Sequence, residues 1–159
     1  MFDFSKLKFN TSPDLTYDPP ASDEAIAKLE AHYGHNLPED LKEIFKHYHG
    51  RDPGANRLEV TFPDDEFVYE MDVAGFLYLD LEENYPCNIW YLINDYAEYI
   101  GENTVPFADD YAQHIYYLKY NSDQHEVWYL EHEEVEETRK YKVCDSFEHF
   151  LSSMYNDEE

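Results

Sequence analysis

Residues 114–130 read His114-Ile115-Tyr116-Tyr117-Leu118-Lys119-Tyr120-Asn121-Ser122-Asp123-Gln124-His125-Glu126-Val127-Trp128-Tyr129-Leu130, and this stretch decides the fold. Two runs rich in aromatic and β-branched residues flank the polar segment Asn121-Ser122-Asp123-Gln124. Such runs suit a pleated, half-buried surface, and the polar segment between them predicts a hairpin loop. The hairpin sits within a longer strand-rich middle. Leu58 to Phe62, Phe67 to Met71 and Gly75 to Leu81 are strand candidates, with Pro63-Asp64-Asp65 as a turn between the first two. Asn88 to Ile93, with its aromatic core Ile89-Trp90-Tyr91-Leu92, reads as a further strand. A turn or short strand is expected near residues 94–100. Downstream, residues 131–137 form a charged loop or helix turn, and Tyr141 to Val143 adds a last short strand.

Helical patterns lie outside this middle. Ser22 is a candidate N-cap, Asp23 and Glu24 follow where acids favour the helix dipole, and Ile26, Leu29 and Tyr33 recur at helical spacing before Gly34. Pro38 fits the first turn of a second helix, whose Leu41, Ile44, Phe45 and Tyr48 make one apolar face before Gly50. Near the other end, Asp145 and Glu148 have capping-box spacing, and Phe147, Phe150, Leu151 and Met154 again share a face. The order predicts an α+β fold: N-terminal helices, a central, mostly antiparallel sheet of about five to six strands, and a C-terminal helix. A single domain is expected, with residues 1–21 as an N-terminal arm lying on the surface or against the sheet, 22–154 as the core and 155–159 as a frayed acidic tail.

Charge narrows the function. The 159 residues hold 36 Asp and Glu against 11 Lys and Arg, a formal net charge of −25. From Leu58 to Leu118 there are 14 acids and no Lys or Arg. Nucleic acid and anionic membrane surfaces are disfavoured partners, because no cationic patch displaces their counterions. A basic protein partner, steered in by the field, fits the imbalance, as does a merely solvated surface. The 16 Tyr suit half-buried strands and contact surfaces alike. Two cysteines, Cys87 and Cys144, have no disulfide or CxxC spacing and read as reduced thiols. With no signal-peptide core after Met1 and no membrane-length apolar run, a soluble cytoplasmic protein is expected.

Catalytic and metal motifs are weak. The tightest histidine pairs, His47 with His49 and His32 with His35, do not make an HExxH, and His47 and His49 on one helix point to different faces. There is no GxSxG, P-loop or dinucleotide glycine motif, so no enzyme, no metal and no cofactor is expected. Asp109 and Asp110, adjacent on a strand, face opposite sides and read as a turn or polar strand start. The candidate partner-binding residues are the carboxylates Asp64, Asp65, Glu66, Glu70, Asp72, Glu82, Glu83, Asp109 and Asp110, with Trp90 as an aromatic anchor.

Three segments carry a resemblance. Leu37-Pro38-Glu39-Asp40-Leu41-Lys42 with the loop from Gly50 to Gly54, Val105-Pro106-Phe107-Ala108-Asp109-Asp110, and Asp145-Ser146-Phe147-Glu148-His149-Phe150-Leu151 occur in the order and spacing of SUKH-superfamily (Smi/Knr type) domains. They frame roughly residues 22–154. The resemblance implies the same α+β architecture. It also implies a binding role: many bacterial members resemble immunity proteins that neutralise a cognate toxin, often a nuclease, and others are regulators. On that basis the first expectation is an immunity protein that binds a basic toxin without catalysis. The alternative is a regulatory protein- or peptide-binding module unrelated to toxins. One departure stands out. Similar domains carry a Gly shortly after the Pro-Phe-Ala segment, where this chain has Tyr111-Ala112-Gln113, so a positive φ there needs another solution.

Overall fold

The computed structural model describes residues 2–9, 20–48, 51–61, 67–80, 88–132 and 138–156. Two helices lead, α1 (Asp23–Tyr33) and α2 (Glu39–His47). Ser22 caps α1 by accepting from the Ala25 amide at 3.1 Å, a bond of the kind worth about 1 kcal/mol. Gly34 ends it at φ 82°, a left-handed geometry that glycine adopts without strain. Pro38 takes the cap position of α2 and not its first turn, and Tyr48 closes the helix before Gly50, which lies outside the described residues. Glu30 ties the two helices together. Its carboxylate accepts from the Leu37 amide at 2.8 Å and pairs with Lys42 at 3.1 Å.

The strands form two sheets. β1 (Arg57–Thr61) and β2 (Val68–Asp72) make an isolated antiparallel pair. β3 (Gly75–Phe76), β4 (Thr104–Asp109), β5 (Ile115–Asn121), β6 (Gln124–His132) and β7 (Thr138–Cys144) make an antiparallel sheet in that order. The expected hairpin is β5–β6. Its central residues Ser122 and Asp123 both have positive φ, 49° and 68°, the backbone that a two-residue turn between twisted strands requires. The strand expected at 75–81 shortens to Gly75–Phe76, followed by a bridge from Tyr78 to Asn88. Pro106 is tolerated inside β4 because β3 pairs only with Ala108 and Asp109, and the register shifts between Pro106 and Ala108.

The largest correction is α3 (Ile89–Ile100), which replaces the strand expected at 88–93 and the turn after it. Asn88 caps it, accepting from the Trp90 amide at 3.2 Å. Ile89, Ile93 and Ile100 are buried and Tyr96 half-buried, a helical spacing that β-forming side chains disguised. α3 packs beside β4 and serves two apolar clusters. Ile89, Trp90 and Ile93 join the main core, whereas Ile100 meets Ile115, Tyr117 and Leu130 on the other face of the sheet.

The main core lies between the sheet and α1, α2 and α4 (Phe147–Ser153). Phe107 meets Phe147 and Phe150 edge-on, with centroids 5.2 Å apart in both pairs. Such aromatic pairs add about 1 kcal/mol each beyond the area they bury. Ser146, and not Asp145, caps α4, accepting from the His149 amide at 3.1 Å. Asp145 instead pairs with Lys142 at 2.6 Å. Residues 2–9 pack against α2 and the segment before β1. Leu7 and Phe9 are buried, Phe9 stacks on Tyr48 at 4.5 Å, and Gly54 and Ala55 donate to the carbonyls of Lys8 and Leu7. At the other end Tyr155 pairs with Arg57 through two backbone hydrogen bonds.

Candidate protein-binding surface

The β1–β2 pair has two unlike faces, set by its register. Leu58 opposite Met71 and Val60 opposite Tyr69 share the inner face, where Leu58 and Val60 are buried but Tyr69 extends past the core and stays 41% exposed. Arg57 opposite Asp72, Glu59 opposite Glu70 and Thr61 opposite Val68 point outward. Glu59 and Glu70 are therefore like charges directly across from each other, both exposed, an arrangement that opposes pairing by up to about 1 kcal/mol. The Arg57 guanidinium offsets part of this by reaching Glu70 at 2.6 Å. Both partners are well exposed, so the ion pair contributes a few tenths of a kcal/mol, roughly.

The same hairpin presents its large apolar side chains to solvent. Phe67 is 71% exposed, Val68 60% and Tyr69 41%. Tyr111, in the β4–β5 turn, adds a further ring at 64%. It is fastened to the hairpin base: its amide donates to Asp72 Oδ1 at 2.9 Å, and its hydroxyl accepts from Asn56 Nδ2 at 3.1 Å. From beneath, the buried Tyr116 donates its hydroxyl to the Asp72 carbonyl at 2.6 Å. The result is a surface of exposed aromatic and aliphatic groups set among carboxylates.

The sequence-derived candidates divide sharply. Glu70 and Asp72 lie on this hairpin. Asp109 lies close by, half-buried at the end of β4. Burial, then the neighbouring Asp110, and also Asp52 push its carboxyl up to about 6. A Cβ at Gly75 would lie 2.9 Å from Asp52 Oδ1, the end of an exposed side chain that is free to move aside. Asp110 is turned inward and is 8% exposed. One carboxylate oxygen accepts from the amides of Ala112 at 2.9 Å and His114 at 2.8 Å, and the other accepts the Tyr129 hydroxyl. Asp110 thus braces the turn from within. The brace also answers the missing glycine. Gln113 itself takes φ 67°, in a turn that Asp110 holds from both its carbonyl and its side chain.

Trp90 is buried as well. Its ring is 6% exposed, lies under the Lys28 ammonium at 4.5 Å and meets His32 edge-on. Its place on α3 points it toward α1, where it packs in the core. Its indole Nε1 has no hydrogen-bond partner among the described residues. Asp64, Asp65, Glu66, Glu82 and Glu83 lie outside the described residues. Sequence reasoning missed the outer face of α3, where Tyr91 and Tyr99 are 42% and 38% exposed beside Asp95 and Glu98. Asn88 as a cap, followed by Ile89, Ile93 and Ile100, was the signal that could have found it.

Among the described residues no three His, Cys, Asp or Glu side chains are placed to hold a metal ion, and no helix is long and apolar enough to cross a membrane. Cys144 is a free thiol that burial pushes up to about 11, so it is a poor nucleophile. What the exposed surface can do chemically is bind: rings supply contact area and carboxylates supply charge.

No curated protein and no solved structure matches this chain. The family described as SMI1 / KNR4 family (SUKH-1) matches over residues 20–153, a span that runs from the segment before α1 to the last residue of α4. With most of its length inside that match, and with the three quoted segments at α2, β4 and α4, the chain belongs to the SMI1 / KNR4 family (SUKH-1).

Proposed function

We propose that this chain is an immunity-type inhibitor that binds a cognate, basic toxin in the cytoplasm and blocks it by contact, without catalysis. The observation that carries the reading is the β1–β2 hairpin, where Phe67, Val68 and Tyr69 stand exposed and Val68 shares the outward face with the opposed carboxylates Glu59 and Glu70. Membership of the SUKH-1 family supports a protein partner. The charge of −25 supports a basic one. A toxin that acts on phosphates carries a cationic active surface, and an acidic inhibitor captures such a surface quickly because the long-range field steers the encounter. Affinity then comes from a few desolvated rings, with the surrounding carboxylates setting register and selectivity.

The partner surface in this reading comprises Glu59, Phe67, Val68, Tyr69, Glu70, Asp72 and Tyr111. The test is co-expression with the product of the adjacent toxin-like gene, read as growth and as a purified complex. Protection together with a complex is expected. Tyr69→Ala and Phe67→Ala should each weaken binding about tenfold or more while the fold is retained. Absence of both protection and a complex refutes the proposal.

A further inference from the structure

The β1–β2 pair leaves the β2 edge open, and the phase of the backbone sets which groups face it. Along an antiparallel strand the N–H and C=O of one residue point to the same side, and successive residues alternate. Arg57 turns both of its groups to Tyr155: its amide donates to the Tyr155 carbonyl at 3.0 Å, and its carbonyl accepts from the Tyr155 amide at 2.7 Å. Leu58 and Val60 therefore turn theirs to β2, opposite Met71 and Tyr69. The Val73 amide keeps the same phase, donating to the Asn56 carbonyl at 2.8 Å. Val68, Glu70 and Asp72 consequently point their N–H and C=O groups away from β1.

At Asp72 this edge is already occupied. Its carbonyl accepts the Tyr116 hydroxyl at 2.6 Å, and its carboxylate accepts the Tyr111 amide at 2.9 Å. At Val68 and Glu70, among the described residues, nothing bonds the outward N–H and C=O groups. The edges of the larger sheet are protected by comparison. β7 carries Lys140 and Lys142 and pairs with β6 through a register shift, and β3 is two residues long. Short edges, lysines and bulges all keep a foreign strand away. β2 has none of these: five residues in regular register, without Lys, Arg or Pro, and with Val68 and Tyr69 exposed.

We propose that the partner adds to β2 as a third strand, through an extended segment with a Lys or Arg opposite Glu70 and an apolar residue beside it. This rests on the hairpin being the partner surface and adds the way in which that surface is read. Strand addition draws affinity from main-chain hydrogen bonds and selectivity from alternate side chains. The residue directly opposite Glu70 stands on the outward face, where Glu59 and Glu70 already oppose each other, so a cation there relieves a like-charge pair. The next residue of the segment falls on the inner face, against the exposed part of Tyr69. The same geometry disfavours a second copy of this chain as the occupant. Pairing β2 with itself brings Glu70 and Asp72 of both copies onto one face, with a net charge of −25 on each chain.

The probe is an end-blocked hexapeptide of alternating Lys and Val, added at about 1 mM in low salt and followed by amide shifts and hydrogen exchange in nuclear magnetic resonance. Exchange at the Val68 and Glu70 amides should slow about tenfold or more, while Tyr69 and Met71, already bonded to β1, change less. The same peptide N-methylated on the backbone of its lysines keeps its charge and should bind at least about tenfold more weakly, as should a peptide of alternating Glu and Val. Val68→Pro removes an N–H that points away from β1, so the hairpin should persist while peptide binding is lost. Absence of binding overturns the proposal. So does binding that leaves the Val68 and Glu70 amides unprotected or that tolerates N-methylation, because the peptide then lies on a face and not along the edge. If Val68→Pro does not fold, the N-methylated peptide still decides. The immunity reading fails separately. Slowed exchange at Val68 and Glu70 with the peptide, but no complex with the co-expressed toxin, keeps the edge and refutes that role. A toxin complex in which those two amides stay unprotected keeps the role and refutes strand addition.

Discussion

Tyr129 on β6 donates its hydroxyl proton to Asp110 at the end of β4, a bond between strands that do not neighbour each other in the sheet. Tyr116, on the intervening strand β5, packs against Tyr129 at 5.1 Å and donates its own hydroxyl to the Asp72 carbonyl. A buried carboxylate, two buried tyrosines and the hairpin base are thereby joined beneath the proposed partner surface. Removing the carboxylate orphans two turn amides and a phenol. Asp110→Ala should cost about 2–4 kcal/mol in urea unfolding, and Tyr129→Phe about 1–2 kcal/mol. A double-mutant cycle with Asp110→Asn should show a coupling above about 0.5 kcal/mol. Additive effects would mean that the two side chains stabilise the fold independently.

Asp109 predicts a pH dependence of stability. Its folded carboxyl is raised to about 6, so the native state holds a proton that the unfolded chain releases near 3.8. The stability associated with that proton is fully present below about 4 and is lost as pH rises through about 6. Asp109→Asn should therefore be more stable than the parent above pH 6 and show a flatter profile between those values. Urea midpoints measured across that window check it, and parallel profiles for parent and variant would contradict it.

The opposed pair Glu59 and Glu70 predicts a gain in stability from losing charge. Glu59→Gln should stabilise the chain by roughly 0.2–1 kcal/mol at low salt, with the gain shrinking as salt screens the pair. The same variant should slow association with a basic partner. Stability and association rate should thus move in opposite directions, which thermal unfolding and stopped-flow binding measure separately.

Core and surface roles for Trp90 separate cleanly. Trp90→Phe retains an aromatic ring and gives up an indole N–H that has no hydrogen-bond partner among the described residues, so it should cost about 1 kcal/mol. Trp90→Ala should cost about 3–5 kcal/mol through the cavity it leaves. Wherever the variants remain folded, binding to a partner should be unchanged. A selective loss of binding in Trp90→Phe would return this ring to the interface.

The caps of α4 give a direct comparison between neighbouring residues. Ser146→Ala should cost about 1 kcal/mol because it frees the His149 amide. Asp145→Ala should cost less, since Asp145 is exposed and contributes an ion pair to Lys142. The reverse order in urea unfolding would restore the cap to Asp145.

The apolar faces of α1, α2 and α4 are local periodicities, legible because their period matches the helix, and the aromatic and β-branched runs of β5 and β6 were legible by propensity. Ser122 and Asp123 were legible for the same reason: a short polar segment between two β-rich runs has few turns open to it. α3 was not. Ile89-Trp90-Tyr91-Leu92 favours a strand by propensity, and only burial of Ile93 and Ile100 against β4 and β5 outweighs that preference. The candidate site divides along the same line. Composition alone identified an acidic, cation-free middle, and with it the direction of the charge on any surface built there. Which acids reach that surface was decided in three dimensions. Asp110 turns inward because a phenol 19 residues away waits for it, and Trp90 is buried because α3 brings it against α1. Glu70 stays outside because the register of β1 with β2 sets it across from Glu59. Charge and period are properties of neighbours along the chain, whereas exposure is a property of neighbours in space, and only the fold supplies those.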